Sequence, residues 1–430
     1  MTTTNDLPRS MYTRLSLMMF LQYAIWGAWL PFLWAFLEKH REMDGGQIGN
    51  MFAAGAVGAI IGPFVAGQLA DRYFSTEKLL GFSHLIGAAL IWQLATIESE
   101  TGFLVFSLIY GLVYAPTLSL TNSLAFHHIP DRDRDFGKVR VWGTLGWIAV
   151  GLAMGHWLAF RHTPTGVEQA VVSAAQNAGK SDAFRLSAIL GAAMGLFCFF
   201  LPKTPPSLSD GGARSNATME AIQEARRQPL LTLFLLAVPV SCIHQFYFMH
   251  TEVFLGAKQL EAPGWSKSIF GEGGGGLMTV GQMSEILVLA AVPFFARSVS
   301  RKSLLSIGLI AYGVRMALFA YVDVIPLPTM AVLLSGIALH GLCFGCFIFV
   351  AFMVVDENTS PGVRASAQNL FNLVIIGVGV IVGSKIGGWV SDWAGGDWTR
   401  LFETPMWASL VCLVLLCLFY PKSAVAFEDK

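Results

Sequence analysis

Apolar stretches long enough to span a bilayer, each closed off by a short cluster of charge, glycine or proline, follow one another along the whole chain. An α-helix rises 1.5 Å per residue, so about 20 apolar residues cross a hydrocarbon core about 30 Å thick. The pattern predicts helices near 12–38, 47–70, 79–97, 102–128, 138–160 and 183–201. A second set falls near 229–256, 276–297, 303–321, 328–354, 363–390 and 400–420. Between the sets, Pro202 to Gln228 contains Pro205, Pro206, Gly211 and Gly212 and the charged Glu220, Glu224, Arg226 and Arg227. It reads as a polar linker with room for a short surface helix. The expected organisation is an all-α polytopic membrane protein: a six-helix bundle over 1–201, a cytoplasmic linker over 202–228 and a second six-helix bundle over 229–430.

Composition supports this reading and excludes others. The 430 residues are 54% hydrophobic and 13% charged, against about 25% charged in soluble domains, so the chain cannot dress the surface of a soluble enzyme. With Lys+Arg 28 and Asp+Glu 28, the net charge of 0 provides no field for nucleic acid. Counted by alternate loops, Lys and Arg number roughly 17 on the side of both termini and roughly 8 on the other, which places the termini in the cytoplasm. Helical spans favour the bacterial inner membrane. Met1 to Ser10 is polar, so the first apolar run is expected to stay as a span. Asn216-Ala217-Thr218 matches a glycosylation sequon but sits in the cytoplasmic linker.

Six cysteines lie inside apolar runs, where a thiol behaves as a small hydrophobe. Neither a disulfide framework nor a metal site is expected, even at the CxxC of Cys343 and Cys346, and no cofactor is implied. Gly55, Gly58 and Gly62, and Gly377, Gly379, Gly383 and Gly387, have the small-residue spacing of closely packed helices. Gly273 to Gly276 reads as a flexible outer loop. No Walker motif, nucleophile elbow or HExxH occurs, which argues against an ATP-driven pump or a membrane hydrolase.

The informative residues are those that hydrocarbon disfavours. An ionisable group near mid-membrane costs at least about 2.5 kcal/mol, so it faces a cavity or a partner. In helix 5, Arg140, Thr144 and Trp147 follow i, i+4, i+7 and put a cation, a hydroxyl and an indole on one face. Gln282 and Glu285 share a face of helix 8, as do Gln245 and Phe248 in helix 7 and His340 and Phe344 in helix 10. Helix 1 adds Gln22, Trp26 and Trp29. Each has a plainer structural reading: Arg140 as an anchor beside Lys138, the glutamines as interhelical stitches, His340 as a satisfied core histidine, and Arg315 as an ion-pair partner of Glu285. Amides and charges interleaved with aromatic rings suit a flat, polar, uncharged ligand that both stacks and hydrogen-bonds.

Gly67-Gln68-Leu69-Ala70-Asp71-Arg72 resembles the G-x-L-A-D-R/K loop of the major facilitator superfamily, although Tyr73-Phe74-Ser75-Thr76 lacks the usual glycine and basic pair. Further segments are Phe20-Leu21-Gln22 leading to Trp26-Gly27, Pro116-Thr117-Leu118 with Asn122, and Arg140-Val141-Trp142-Gly143-Thr144. Ser284-Glu285 with Pro293-Phe294-Phe295, Leu318-Phe319-Ala320-Tyr321, and Ser360-Pro361-Gly362-Val363-Arg364-Ala365-Ser366-Ala367-Gln368 complete the set. In this order, across helices 1 to 11, they resemble the bacterial nucleoside:proton symporter family.

That resemblance implies the major facilitator fold of twelve helices in two halves, a central site and alternating access driven by a proton gradient. It implies that the nucleoside is held by positions matching Arg140, Thr144, Trp147, Gln245, Gln282, Glu285 and Phe344. Three positions depart from the family pattern: Phe248 replaces an asparagine, His340 a tyrosine, and Gly345 a carboxylate. The proton then falls to Glu285, to His340 or to both, with a uniporter as the alternative. The expected function is monomeric, proton-coupled nucleoside import. The alternatives are a sugar or polar-metabolite carrier of the same fold and a non-transporting membrane sensor or scaffold.

Overall fold

The computed structural model describes residues 6–206, 214–260, 262–295 and 298–421, with the backbone alone for 63–72, 133, 214–218 and 293. The side chains of the Gly67 to Arg72 motif and of the Asn216 sequon, and Gly211 and Gly212 entirely, therefore lie outside the described residues.

The long helices are α1 (Arg9–Lys39), α2 (Gly45–Arg72), α3 (Thr76–Leu94), α4 (Glu100–His128), α5 (Arg132–Arg161) and α6 (Ser181–Cys198). After a linker helix, Arg214–Ala225, come α7 (Leu230–Gln259), α8 (Gly274–Phe295), α9 (Arg301–Ala320), α10 (Thr329–Glu357), α11 (Arg364–Ala394) and α12 (Trp398–Phe419). Among the described residues, 10 helices are long and apolar enough to cross a membrane. The starts follow local chemistry: Ser99, Asp131, Ser300 and Asp397 accept hydrogen bonds from otherwise orphaned amides at the N-termini of α4, α5, α9 and α12. At the end of α11, Gly395 adopts φ 57°, the left-handed conformation glycine accepts without strain.

Inside α1, Pro31 has no amide hydrogen to donate, and a 3-10 turn over Leu30–Phe32 absorbs it. Two widened π turns, Cys343–Phe349 in α10 and Leu373–Gly379 in α11, were not anticipated from the sequence. The first begins three residues after His340 and resets the direction of the side chains that follow it.

The chain forms two compact units. One comprises Met1–Ser209 with Leu255–Gln259 and Gly264–Thr279; the other comprises Asp210–Phe254, Leu260–Pro263 and Val280–Lys430. In the first unit α1 packs on α5 and α6, α2 on α4, and α3 on α4 and α6. Backbones touch where glycines allow it: a methyl on Gly146 would lie 2.2 Å from the Phe20 carbonyl oxygen, and one on Gly58 only 1.9 Å from that of Gly111. Phe36, Phe103 and Phe184 form an aromatic core beneath Trp29. The Gly273 to Gly276 run is a correction to the expected flexible loop. Gly274 begins α8, a methyl on Gly275 would sit 2.2 Å from the Phe32 ring, and one on Gly276 would sit 1.8 Å from the Phe270 oxygen. Close packing requires Gly275 and Gly276, and a φ of 80° requires Gly273.

In the second unit α9 packs on α10 and α12, and Phe254, Phe319 and Phe402 pack edge to face. The linker helix is fastened by Glu224, which accepts from the Ser360 amide at 3.1 Å and hydroxyl at 2.8 Å. Helices α8 and α10 cross at near-contact: Ser284 Oγ donates to the Ala338 carbonyl and accepts from the Gly341 amide at 3.1 Å. Exposed Leu287, Phe294, Trp389, Trp393 and Phe419 form the apolar surface that lipid covers in a membrane protein.

Candidate functional site

In the first unit, α5 turns the face predicted from spacing towards α1. The Arg140 guanidinium lies 3.9 Å from the centre of the Tyr23 ring, and the Trp147 and Trp26 rings meet edge to face at 5.7 Å. Gly27 makes room for Trp147, whose ring a methyl there would meet at 2.7 Å. Thr144 is half-buried on the same helix. The structure thus brings Arg140 and Trp147 to α1 aromatics. Tyr23 was missed from sequence, although it lies within the Phe20 to Gly27 segment.

Gln22 has a different task. It is fully buried, donates to Thr117 Oγ1 at 2.8 Å and contacts His84 Nε2 through Oε1 at 2.9 Å. Tyr114 donates to its carbonyl at 2.5 Å. Both ends of the amide are spent on holding α1, α3 and α4 together. Gln22→Ala strands His84 at a cost of about 1–3 kcal/mol and removes a donor from Thr117, whose hydroxyl keeps its bond to the Tyr114 carbonyl. Thermal unfolding of the detergent-purified protein should fall by several degrees, with KM for substrate unchanged.

The second unit gathers a denser group. His340 on α10 is buried, and its ring stacks on those of Tyr247 (5.0 Å) and His244 (5.5 Å) from α7, with Phe248 edge-on at 5.9 Å. Phe344 lies 6.2 Å from the His244 ring. His340 Nε2 faces Glu285 Oε2 at 3.6 Å, and Nδ1 lies 3.1 Å from Nη1 of Arg315. The Arg315 guanidinium, wholly buried, sits over Tyr247 at 4.1 Å and near Tyr312 at 5.1 Å. Tyr312 in turn meets His244 Nδ1 at 2.8 Å. Buried Arg315 Nε and Nη2, the Tyr247 hydroxyl and Gln282 Oε1 have no hydrogen-bond partner among the described residues. In a low-dielectric interior such groups are costly unless something polar visits them.

Phe248, Glu285, His340 and Phe344 therefore lie in one group around His340 and His244. Gln245 instead donates to Ser384 Oγ at 3.2 Å and bridges α7 to α11. Gln282 lies one turn before Glu285 on α8 and is buried. His244, Tyr247 and Tyr312 were missed, although the i, i+4 spacing of His244 and Phe248 and the i, i+3 spacing of Tyr312 and Arg315 carried the signal. A direct ion pair of Arg315 with Glu285 was the plainer alternative; in the structure His340 stands at contact distance to both.

Gly345, where the family pattern has a carboxylate, is explained by packing. A side chain there would start 2.6 Å from Val288 Cγ1 of α8, so the glycine permits the close α8–α10 crossing that seats His340 beside Glu285. Cys343 and Cys346 are free, buried thiols in this helix.

Comparison with known proteins places these features. The chain is 34% identical to the transporter YegT of Escherichia coli (strain K12) over 385 residues, covering 87% of this chain and 83% of that one. It is 27% identical to the nucleoside permease NupG of the same organism, covering 88% and 87%. Its fold matches the crystal structure of a mutant of the nucleoside transporter NupG with a TM-score of 0.83 at 24% identity, covering 95% of this chain and 100% of that one. The profile of the nucleoside H+ symporter family matches residues 9–424. The chain belongs to that family, a family of membrane transporters rather than enzymes, with the major facilitator fold.

Proposed function

We propose that this protein imports nucleosides together with protons by alternating access, as a monomer in the bacterial inner membrane with both termini in the cytoplasm. The observation that carries the reading is the family match over residues 9–424. It favours nucleosides over the sugar-carrier alternative. The two polar–aromatic groups suit such a ligand. Trp147, Phe248 and Phe344 offer ring faces to a base, where stacking contributes about 1–3 kcal/mol per base. Arg140, Thr144, Gln245, Gln282, Glu285 and His340 offer the hydrogen bonds, and the Glu285–His340 pair holds the proton. The asymmetry in basic residues between alternate loops supports the orientation.

The test is uptake of labelled uridine and adenosine into proteoliposomes with and without an inward proton gradient. Concentrative uptake that an uncoupler abolishes is expected; competition by unlabelled sugars but not nucleosides would overturn the reading. Arg140→Ala removes a charged hydrogen-bond donor with a typical contribution of about 1.5–3 kcal/mol. It should raise KM about tenfold or more in the same assay.

A further inference from the structure

The arrangement around His340 assigns roles to the two groups that share the proton, an inference that rests on the symport reading. We propose that Arg315 is a positioning residue: it fixes His340 as a neutral Nε2–H donor aimed at Glu285, leaving Glu285 as the group that exchanges the transported proton. The argument is one of donors and acceptors. Guanidinium nitrogens only donate, so the 3.1 Å contact between Arg315 Nη1 and His340 Nδ1 requires a lone pair on Nδ1. The imidazole proton is then on Nε2, the nitrogen facing Glu285 Oε2 at 3.6 Å.

A second proton on the ring has only Nδ1 to occupy, and there it would point at an N–H of Arg315. The ring cannot easily turn away, because Tyr247 and His244 stack on it and Phe248 closes its edge. Arg315 is held in turn by the faces of Tyr247 and Tyr312. The charged and titratable groups around His340 are His244 and Tyr247 from α7, Glu285 from α8, Arg315 and Tyr312 from α9, and Cys343 on its own helix. Of these, Glu285 is the carboxylate, the group that can take up a proton by losing a negative charge. Arg315, across the imidazole from it, supplies the opposite charge while Glu285 is ionised.

The test separates a donor from a carrier. His340→Gln keeps an acceptor for Arg315 and a donor for Glu285 but cannot carry a proton. Whatever the variant loses in affinity or rate, its uptake should remain concentrative and driven by the proton gradient. Arg315→Met frees Nδ1 for a second proton, so the pH profile of uptake should gain an ionisation that the wild type lacks. Adding His340→Gln to Arg315→Met should remove that ionisation. Loss of accumulation in His340→Gln with nucleoside exchange intact would overturn the assignment, as would an unchanged pH profile in Arg315→Met. Either variant decides if the other does not fold. Failure of the symport reading looks different: the wild type itself would show no dependence on the proton gradient.

Discussion

Glu285→Gln is expected to abolish accumulation. Vesicles carrying this variant should fill with nucleoside only to the outside concentration, while exchange of internal for external nucleoside continues. Glutamine preserves the shape and the hydrogen-bonding reach of the side chain, but its charge no longer changes with the proton. Coupling requires that the proton alter the free energy of a state the substrate also alters, and a group that does not titrate cannot link the two. Equilibrating uptake and exchange counterflow, measured side by side, check this. Accumulation equal to wild type would reject Glu285 as the coupling group.

The second large effect falls on the α8–α10 crossing. A methyl on Gly341 would lie 2.2 Å from Ser284 Oγ and 2.5 Å from the Ser284 carbonyl oxygen, so Gly341→Ala forces two backbones apart. Overpacking of this kind costs about 1–3 kcal/mol and can exceed that where backbone is the obstacle. It should reduce the yield of monodisperse protein on size exclusion about tenfold, and Ser284→Ala should not rescue it, because the carbonyl remains. Gly345→Ala makes the instructive contrast: its nearest obstacle is Val288 Cγ1, a side-chain atom. Val288→Ala should therefore restore its yield. Equal rescue of both glycine variants, or of neither, would contradict the packing account of Gly345.

Much of this architecture is visible in the sequence because a bilayer imposes length on apolar runs, and those runs located the helices to within a few residues, as in α2 and α12. The π turns of α10 and α11 left no such mark: a change from i→i+4 to i→i+5 bonding alters neither length nor composition. The Gly273 to Gly276 run misled for a related reason. Composition reports that a backbone is unencumbered; only the neighbours, here Phe32 and Phe270, show that the space is filled. Helical spacing put Arg140 with Trp147 on one face of α5, and the structure sets that face against Tyr23 and Trp26. Spacing within one helix says nothing about which neighbour faces it. Arg315 was therefore legible as a cation needing a partner, but not as a partner of His340, and Gln245 as a buried amide, but not as a bridge to Ser384.

The central claim, that proton and nucleoside cross together, is tested most directly by letting one drive the other. Proteoliposomes loaded with a pH-sensitive dye, with no imposed proton gradient, receive uridine or adenosine outside. The account predicts that the lumen acidifies as the nucleoside enters and that Glu285→Gln vesicles take up the nucleoside with no pH change. Nucleoside entry into wild-type vesicles at constant internal pH would contradict it.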